Sequence, residues 1–229
     1  KMPVALMDIL AAHHLKEGIL LAMLRKSKTG KGDFVEVSLL EAAVASLANQ
    51  ASNWLVAHVN PRKQGSAHPN IAPYGDIFKT SDGYEILLAV GNDRQFQSLC
   101  EVLRLAIPHY CSTNILRVKN RGLLNALLAE KIERLTLYQL TSDLSKANVP
   151  YGVIKDMQAV FNSPQVQALL LKSSDRVGVK TFVARTSGDQ RSHFLPPPHL
   201  GEHSQEILSQ SLAMDPESIK SLLTLGVIA

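Results

Sequence analysis

The sequence is poor in almost every feature that would announce a function by composition. Aromatic residues make up 5% of the 229-residue chain, with a single Trp, so a base-stacking surface has little to be built from. Charge of one sign is not in excess either. The 24 Lys and Arg stand against 20 Asp and Glu, a net +4, and apart from Arg25, Lys26, Lys28 and Lys31 the basic residues are scattered. Nucleic acid is therefore not an expected partner. Long apolar runs are missing: Ile19–Leu24 and Ala168–Leu171 fall far short of the roughly 18 to 20 residues a membrane helix needs. No membrane association is expected. Two cysteines, Cys100 and Cys111, make a disulfide framework implausible and predict a reducing compartment, the cytoplasm or the mitochondrial matrix. Met2–Leu10 lacks a charged segment followed by a sustained apolar run, so no secretory signal is expected.

The familiar site motifs are also missing. Lys28-Thr29-Gly30-Lys31-Gly32 has the residues of a phosphate-binding loop in the wrong order. It follows a helix rather than a strand, which makes it a helix stop. No G-x-G-x-x-G follows a strand, and no G-x-S-x-G elbow is present. His13 and His14 are adjacent and point to different faces of a helix, so they cannot chelate as an i, i+4 pair would. The remaining histidines have no ligand-spaced partners, and no metal is expected.

What the chain does have is the apolar content of a packed protein, 45% hydrophobic against 19% charged, at a length suited to one large or two small domains. Asp8–Lys26 reads as a helix that is apolar on nearly every face, and such a helix is normally buried. Phe34–Val37 alternates like a short strand. Ser38 with Glu41 forms a capping box for a helix running to Leu55. Asn60–Tyr74 carries three Pro and one Gly and reads as a domain boundary. Ser81-Asp82-Gly83 turns a hairpin between Ile77–Thr80 and Tyr84–Val90. Helices are expected over Asn92–Leu105, Asn114–Arg134 and Thr136–Asn148, the last stopped by Val149-Pro150. Met157–Phe161 and Pro164–Leu171 read as short helices and Val177–Val183 as a strand. Pro196-Pro197-Pro198 must be extended, and Gly201–Leu212 and Pro216–Leu225 close the chain as helices. The class is α/β or α+β.

Asp8 is the residue this reading leaves unexplained. A carboxylate opening an apolar helix is commonly an N-cap. The same geometry would hold a carboxylate ionised and fixed, as a nucleophile requires. Both readings are open on local sequence.

A wider pattern bears on the choice. Met7-Asp8-Ile9, Gly18–Ala22, Arg25, Lys28–Gly32 and Val35–Ala42 come in order along the chain. They are followed by Gly65–Tyr74, Phe78–Tyr84, Gly91–Phe96, Asn148–Gly152 and Pro196–His203. Together these blocks resemble the family III CoA-transferases of the CaiB/BaiF type, and the likeness begins just before that family's catalytic aspartate. The resemblance implies an α/β fold: part of a Rossmann-like large CoA-binding domain plus a smaller α+β domain, in interlaced dimers. On this reading residues 1–59 belong to the large domain, 60–152 form the small domain, and 153–229 link back to the large domain. The N-terminal half of the family's large domain is not among these residues.

The resemblance also implies a chemistry. Asp8 matches the aspartate that takes the acyl group from a donor acyl-CoA and then carries the CoA as an aspartyl-CoA thioester. An acceptor carboxylate, such as that of a dicarboxylic acid like succinate, completes the exchange. Coenzyme A is then a substrate, with no permanently bound cofactor, and the partners are an acyl-CoA donor, a carboxylate acceptor and either a second copy of the chain in an interlaced homodimer or the missing N-terminal segment. Leu39 falls at an apolar position near the CoA, although it also suits the core of its helix. Gly65 would permit close backbone approach, and His68 and Asn70 are the polar candidates for contact with the acyl-CoA, His68 being equally readable as a solvated loop residue. Two alternatives remain: an α-methylacyl-CoA racemase-like enzyme using Asp8 as acid/base, or a non-catalytic fragment.

Overall fold

The computed structural model describes residues 4–173, 176–184, 187–188 and 195–228. The chain divides into two compact units, the first ending at Ile154 and the second beginning at Lys155. Strands and helices are mixed in both. No helix among the described residues is long and apolar enough to cross a membrane.

The first unit opens with α1, Leu6–Thr29, which Gly30 ends in the left-handed conformation (φ 71°) with its N–H on the Lys26 carbonyl. Lys26 and Lys28 lie in the last turn, where they complement the negative end of the helix dipole. The start differs from expectation. Ala5 occupies the N-cap with no side-chain cap, and Asp8 sits inside the first turn. No residue of α1 is buried; Leu20, Leu21 and Met23 are about 60% exposed (59%, 61% and 62%). The helix is apolar on all sides, as its sequence says, but the described residues do not cover it.

Phe34–Val37 forms no strand. Alternation sets which way side chains point, but a strand also needs a partner for its backbone, and among the described residues none is hydrogen-bonded to this segment. Val35 instead packs on α1 at Gly18, where an added Cβ would lie 2.6 Å from Val35 Cγ1. The following helix has the expected capping box, Ser38 Oγ accepting from the Glu41 N–H and Glu41 accepting from the Ser38 N–H. It breaks into α2, Leu39–Ala45, and α3, Asn49–Leu55, because the backbone leaves the helical region at Ala48 (φ 49°, ψ −123°). No Gly or Pro announces that break.

The core of the unit is a three-stranded antiparallel sheet covered by helices. β1, Tyr74–Lys79, pairs with β2, Glu85–Ala89, in the register Ile77↔Leu87 and Lys79↔Glu85. β2 also pairs with β3, Tyr151–Val153, through Leu87↔Gly152. The sequence marked β3 only as a helix stop, and three residues are too few for alternation to show. Phe78, Ile86, Leu88 and Val90 are buried together with side chains from three helices. These are α4, Asp93–Val102, α6, Arg121–Ile132, and α7, Leu137–Lys146. Between α4 and α6 lie a 3₁₀ turn, His109–Cys111, and α5, Asn114–Lys119, so the expected single helix from Asn114 is interrupted at Asn120.

The hairpin turn has a second task. Asp82 Oδ1 accepts from Thr80 Oγ1 at 2.7 Å and also from the Leu137 N–H at 3.0 Å, at the start of α7. The Thr80 hydroxyl above all, with the Leu137 N–H, holds the Asp82 carboxyl below its ordinary range. A depressed carboxylate contributes stability above its unfolded pKa and loses it as pH falls through the folded one. Acid titration below about pH 4 is therefore expected to destabilise the wild type more than Asp82→Asn. Identical acid limbs for the two proteins would show that the carboxylate plays no such part.

The second unit contains α8, Met157–Phe161, α9, Pro164–Gln167, and an antiparallel pair, β4, Leu170–Ser173, with β5, Arg176–Val179. It closes with α10, Ser204–Gln210, and α11, Pro216–Thr224. The helix expected to reach Leu171 thus ends at Gln167, and its last apolar residues join a strand. Pro196–Pro198 is extended, and Arg176 donates to the Pro197 carbonyl and to the His199 ring.

Candidate active site

Asp8 lies on the exposed side of the first turn of α1. Its setting is unlike that of the other described aspartates. Asp33 pairs with Arg25, Asp76 with Arg121, Asp93 with Arg117 and Asp143 with Lys146. Asp82, Asp156 and Asp215 cap helix N-termini. Asp8 is the one described aspartate whose carboxylate has neither a hydrogen bond nor an ion pair. It keeps the favourable potential of the helix N-terminus without spending its oxygens on the backbone. The N-cap reading is thereby set aside.

The thiols offer no competing nucleophile. Cys100 and Cys111 are buried and free, and burial pushes Cys100 up to about 11 and raises Cys111 as well. No group of three or more His, Cys, Asp or Glu among the described residues is placed to hold a metal ion.

Leu39 opens α2, which packs against α1, and is 53% exposed. A core role for its side chain is not met within the described residues. Gly65 adopts φ 64°, a conformation open to glycine at little cost. No atom lies within 4 Å of a Cβ built there. Gly65 thus has a backbone angle that suits glycine, and within the chain itself a close backbone approach occurs ten residues on, at Gly75. There a Cβ would sit 2.0 Å from the Ser66 carbonyl oxygen, with φ 81°.

His68 and Asn70 are brought together by the loop that leads into β1. The Asn70 N–H donates to His68 Nδ1 at 3.1 Å, with that nitrogen as acceptor. The His68 ring stands edge-on to Tyr74 with centroids 5.4 Å apart, and its backbone N–H donates to the Tyr74 carbonyl at 2.7 Å. Asn70 exchanges hydrogen bonds with Asn53 of α3, both at 3.0 Å, and accepts from Asn49 at 3.3 Å. His68 is therefore an ordered, half-buried loop residue. Asp8 makes no hydrogen bond to any of the other four residues.

Sequence reasoning missed the residues that hold this loop. Arg121 donates to Asp76 at 2.8 Å and to the carbonyls of His68 and Ile71 at 2.5 and 2.6 Å. Asn125 supports Asp76 from the same helix at 2.9 Å. Asn114 donates to the Asn70 carbonyl and accepts from the Ala72 N–H. Arg117, 1% exposed, donates to the Ala72 carbonyl at 2.8 Å and to Asp93 at 2.5 Å, its guanidinium lying 4.3 Å from the Phe96 ring centroid. The available signal was the pair Arg117 and Arg121, four residues apart among the apolar residues Leu116, Val118, Leu123 and Leu124, since a charge on a buried face needs a designated partner. Arg117→Ala is expected to cost about 3 kcal/mol by leaving a cavity and an unpaired Ala72 carbonyl. Asp93→Asn, on a side chain 69% exposed, should cost about 1 kcal/mol or less. Urea melts of the two variants check the order; equal losses would contradict it.

The profile of CoA-transferase family III matches residues 1–204. The chain belongs to CoA-transferase family III. It is 35% identical to a human succinyl-CoA:glutarate CoA-transferase over 98% of this chain and 53% of that protein. A succinate–glutarate CoA-transferase of Agrobacterium fabrum is 32% identical over 92% of this chain and 54% of its own length. Among solved structures, a CaiB/BaiF family protein from Brucella suis matches with a TM-score of 0.72 and 33% identity, over 92% of this chain and 56% of that one. The family III chain spans about half the length of these relatives.

Proposed function

We propose that this family III protein serves acyl-CoA:carboxylate CoA transfer, with Asp8 as the covalent nucleophile and dicarboxylic acids of the succinate and glutarate class as donor and acceptor. The observation that carries the assignment is the Asp8 carboxylate, free of partners at a helix N-terminus in a chain whose other described aspartates are all engaged. The relatives named for succinate and glutarate support the substrate class.

On this reading a carboxylate oxygen of Asp8 attacks the thioester carbonyl. The C–S bond breaks, coenzyme A leaves as thiolate, and a mixed anhydride remains. The thiolate attacks the Asp8 acyl carbon, releasing the donor acid and leaving an aspartyl-CoA thioester. The acceptor carboxylate attacks that thioester, again forming an anhydride and a thiolate. Attack of the thiolate on the acceptor acyl carbon gives the new acyl-CoA and restores Asp8. No water, oxidant or proton is consumed, so the chemistry asks only for a fixed carboxylate in a site that excludes water.

Leu39, Gly65, His68 and Asn70 are the proposed contacts to the acyl-CoA. The exposed apolar faces of α1 and α2 support a larger assembly: a Rossmann-like large domain to which residues 1–59 and 153–229 belong, a small domain over 60–152, and an interlaced dimer in the cytoplasm or mitochondrial matrix. Incubation with succinyl-CoA is expected to leave a hydroxylamine-sensitive adduct on the Asp8 peptide, read by mass spectrometry. α-Proton exchange without an adduct would overturn transfer in favour of racemase-type acid/base use.

A further inference from the structure

A cleft of about 1000 Å³ opens on the first unit, lined by Gln50 and Asn53 of α3, Ala57, the 59–64 segment, Pro69, Asn70 and Val118 of α5. That volume lies at the upper end of ordinary ligand sites and is ample for a four- or five-carbon acid. Two adjacent cations, Arg62 and Lys63, line it, and neither makes an ion pair or hydrogen bond with the described residues. A ligand carboxylate can supply the opposite charge. The amides of Asn53 and Asn70, also on the wall, are tied to each other in both directions at 3.0 Å. A polar wall fixed in advance lowers the ordering cost of binding. Val59 and Val118 supply apolar surface beside it.

We propose that this cleft is a carboxylate-recognition site, in which Arg62 and Lys63 hold the carboxylate of a dicarboxylic acid that is remote from the reacting one. The inference rests on the dicarboxylic acid reading above and gives it a structural location. A guanidinium matches a carboxylate by two parallel N–H···O bonds, with the ammonium adding a second point of charge. The apolar wall suits the methylenes between the two carboxylates. A phosphate group fits less well, since phosphate sites are usually built from clustered backbone N–H groups at a helix N-terminus or glycine nest. Here no glycine lines the cleft among the described residues, and α3, which borders it through Gln50 and Asn53, is a helix of only seven residues.

The test is a titration of the isotope-labelled chain with glutarate, and in parallel with inorganic phosphate and adenosine 3′,5′-bisphosphate, followed through the backbone amide resonances of Asn53, Lys63 and Asn70. Glutarate is expected to move them more tightly than either phosphate compound. R62Q/K63Q should weaken glutarate binding roughly tenfold or more, the scale of a lost charge-assisted bond, while the charge-keeping R62K/K63R stays within about threefold. Both pairs are exposed side chains, and unchanged resonances elsewhere report an intact fold. Tighter binding of either phosphate compound, unmoved cleft resonances, or undiminished glutarate binding by R62Q/K63Q would each overturn the site. The transferase reading is judged separately by the Asp8 adduct: an adduct with an unmoved cleft removes this inference alone, and a glutarate-bound cleft without an adduct removes the transferase.

Discussion

Asp8→Asn should lower CoA-transfer turnover by about four orders of magnitude or more while leaving the fold in place. The two halves of that expectation come from different observations. The fold is insensitive because the Asp8 carboxylate bonds to nothing among the described residues and caps no backbone N–H. Replacing it by the neutral amide removes only its interaction with the helix dipole, about 0.3 to 1 kcal/mol. The chemistry is sensitive because an amide oxygen is a far weaker nucleophile than a carboxylate and its acylation cannot yield an aspartyl-CoA thioester. The hydroxylamine-sensitive adduct should vanish with the activity. Thermal unfolding of the variant within a few degrees of wild type, together with lost turnover, is the expected pair of results. An Asp8→Asn protein that turns over at a near-normal rate would remove the basis of the mechanism, and one that fails to fold would assign Asp8 to the architecture instead.

The local chemistry of the chain was legible where a single residue type dictates a geometry. Ser38 and Glu41 announced the start of α2, Thr136 that of α7, and Asp82-Gly83 the hairpin, since each satisfies or releases a specific backbone group within a few residues. Elements that depend on a distant partner were not legible. Phe34–Val37 alternates as well as a strand does, yet bonds to no neighbouring strand among the described residues, whereas Tyr151–Val153 carries almost no pattern and is a strand because β2 offers an edge. Leu170 and Leu171 continue a helical apolar run but pair with Val179 and Gly178. At the candidate site, Asp8 could be singled out from its apolar surroundings, and His68 and Asn70 from the loop that carries them. The Arg117 and Arg121 anchors could not be assigned to that loop, because their partners, Asp93, Asp76 and several carbonyls, lie 24 to 53 residues away in sequence. The part of Gly75 was equally hidden: nothing adjacent to it in sequence shows that the Ser66 backbone passes against its α-carbon.

That contact makes Gly75 the position where the smallest addition should have the largest structural effect. Ser66–Gly75 is a loop closed on itself, with Ser66 Oγ donating to the Gly75 carbonyl at 2.5 Å and the His68 N–H donating to the Tyr74 carbonyl. The closure brings the Ser66 carbonyl oxygen to 2.0 Å from where a Gly75 Cβ would stand. The atom in the way is backbone, so no rotamer change relieves the clash. The φ of 81° adds its own strain for any L side chain. Gly75→Ala should therefore cost about 3 to 5 kcal/mol, combining overpacking with a disfavoured backbone angle. That is a large share of a typical domain's stability. Gly65→Ala is the control, ten residues earlier in the same loop, with positive φ but open space beyond it. It should cost only about 1 kcal/mol. Urea denaturation followed at a fixed wavelength separates the two, provided the slopes agree. If Gly75→Ala opens the loop rather than unfolding the unit, the resonances of His68 and Asn70 will shift while those of Leu124 and Leu128 in the core stay put, and glutarate will no longer find the Asn53–Asn70 wall. A Gly75→Ala protein as stable as Gly65→Ala would mean that the loop does not close in this way, and the ordered placement of His68 and Asn70 beside the cleft would fall with it.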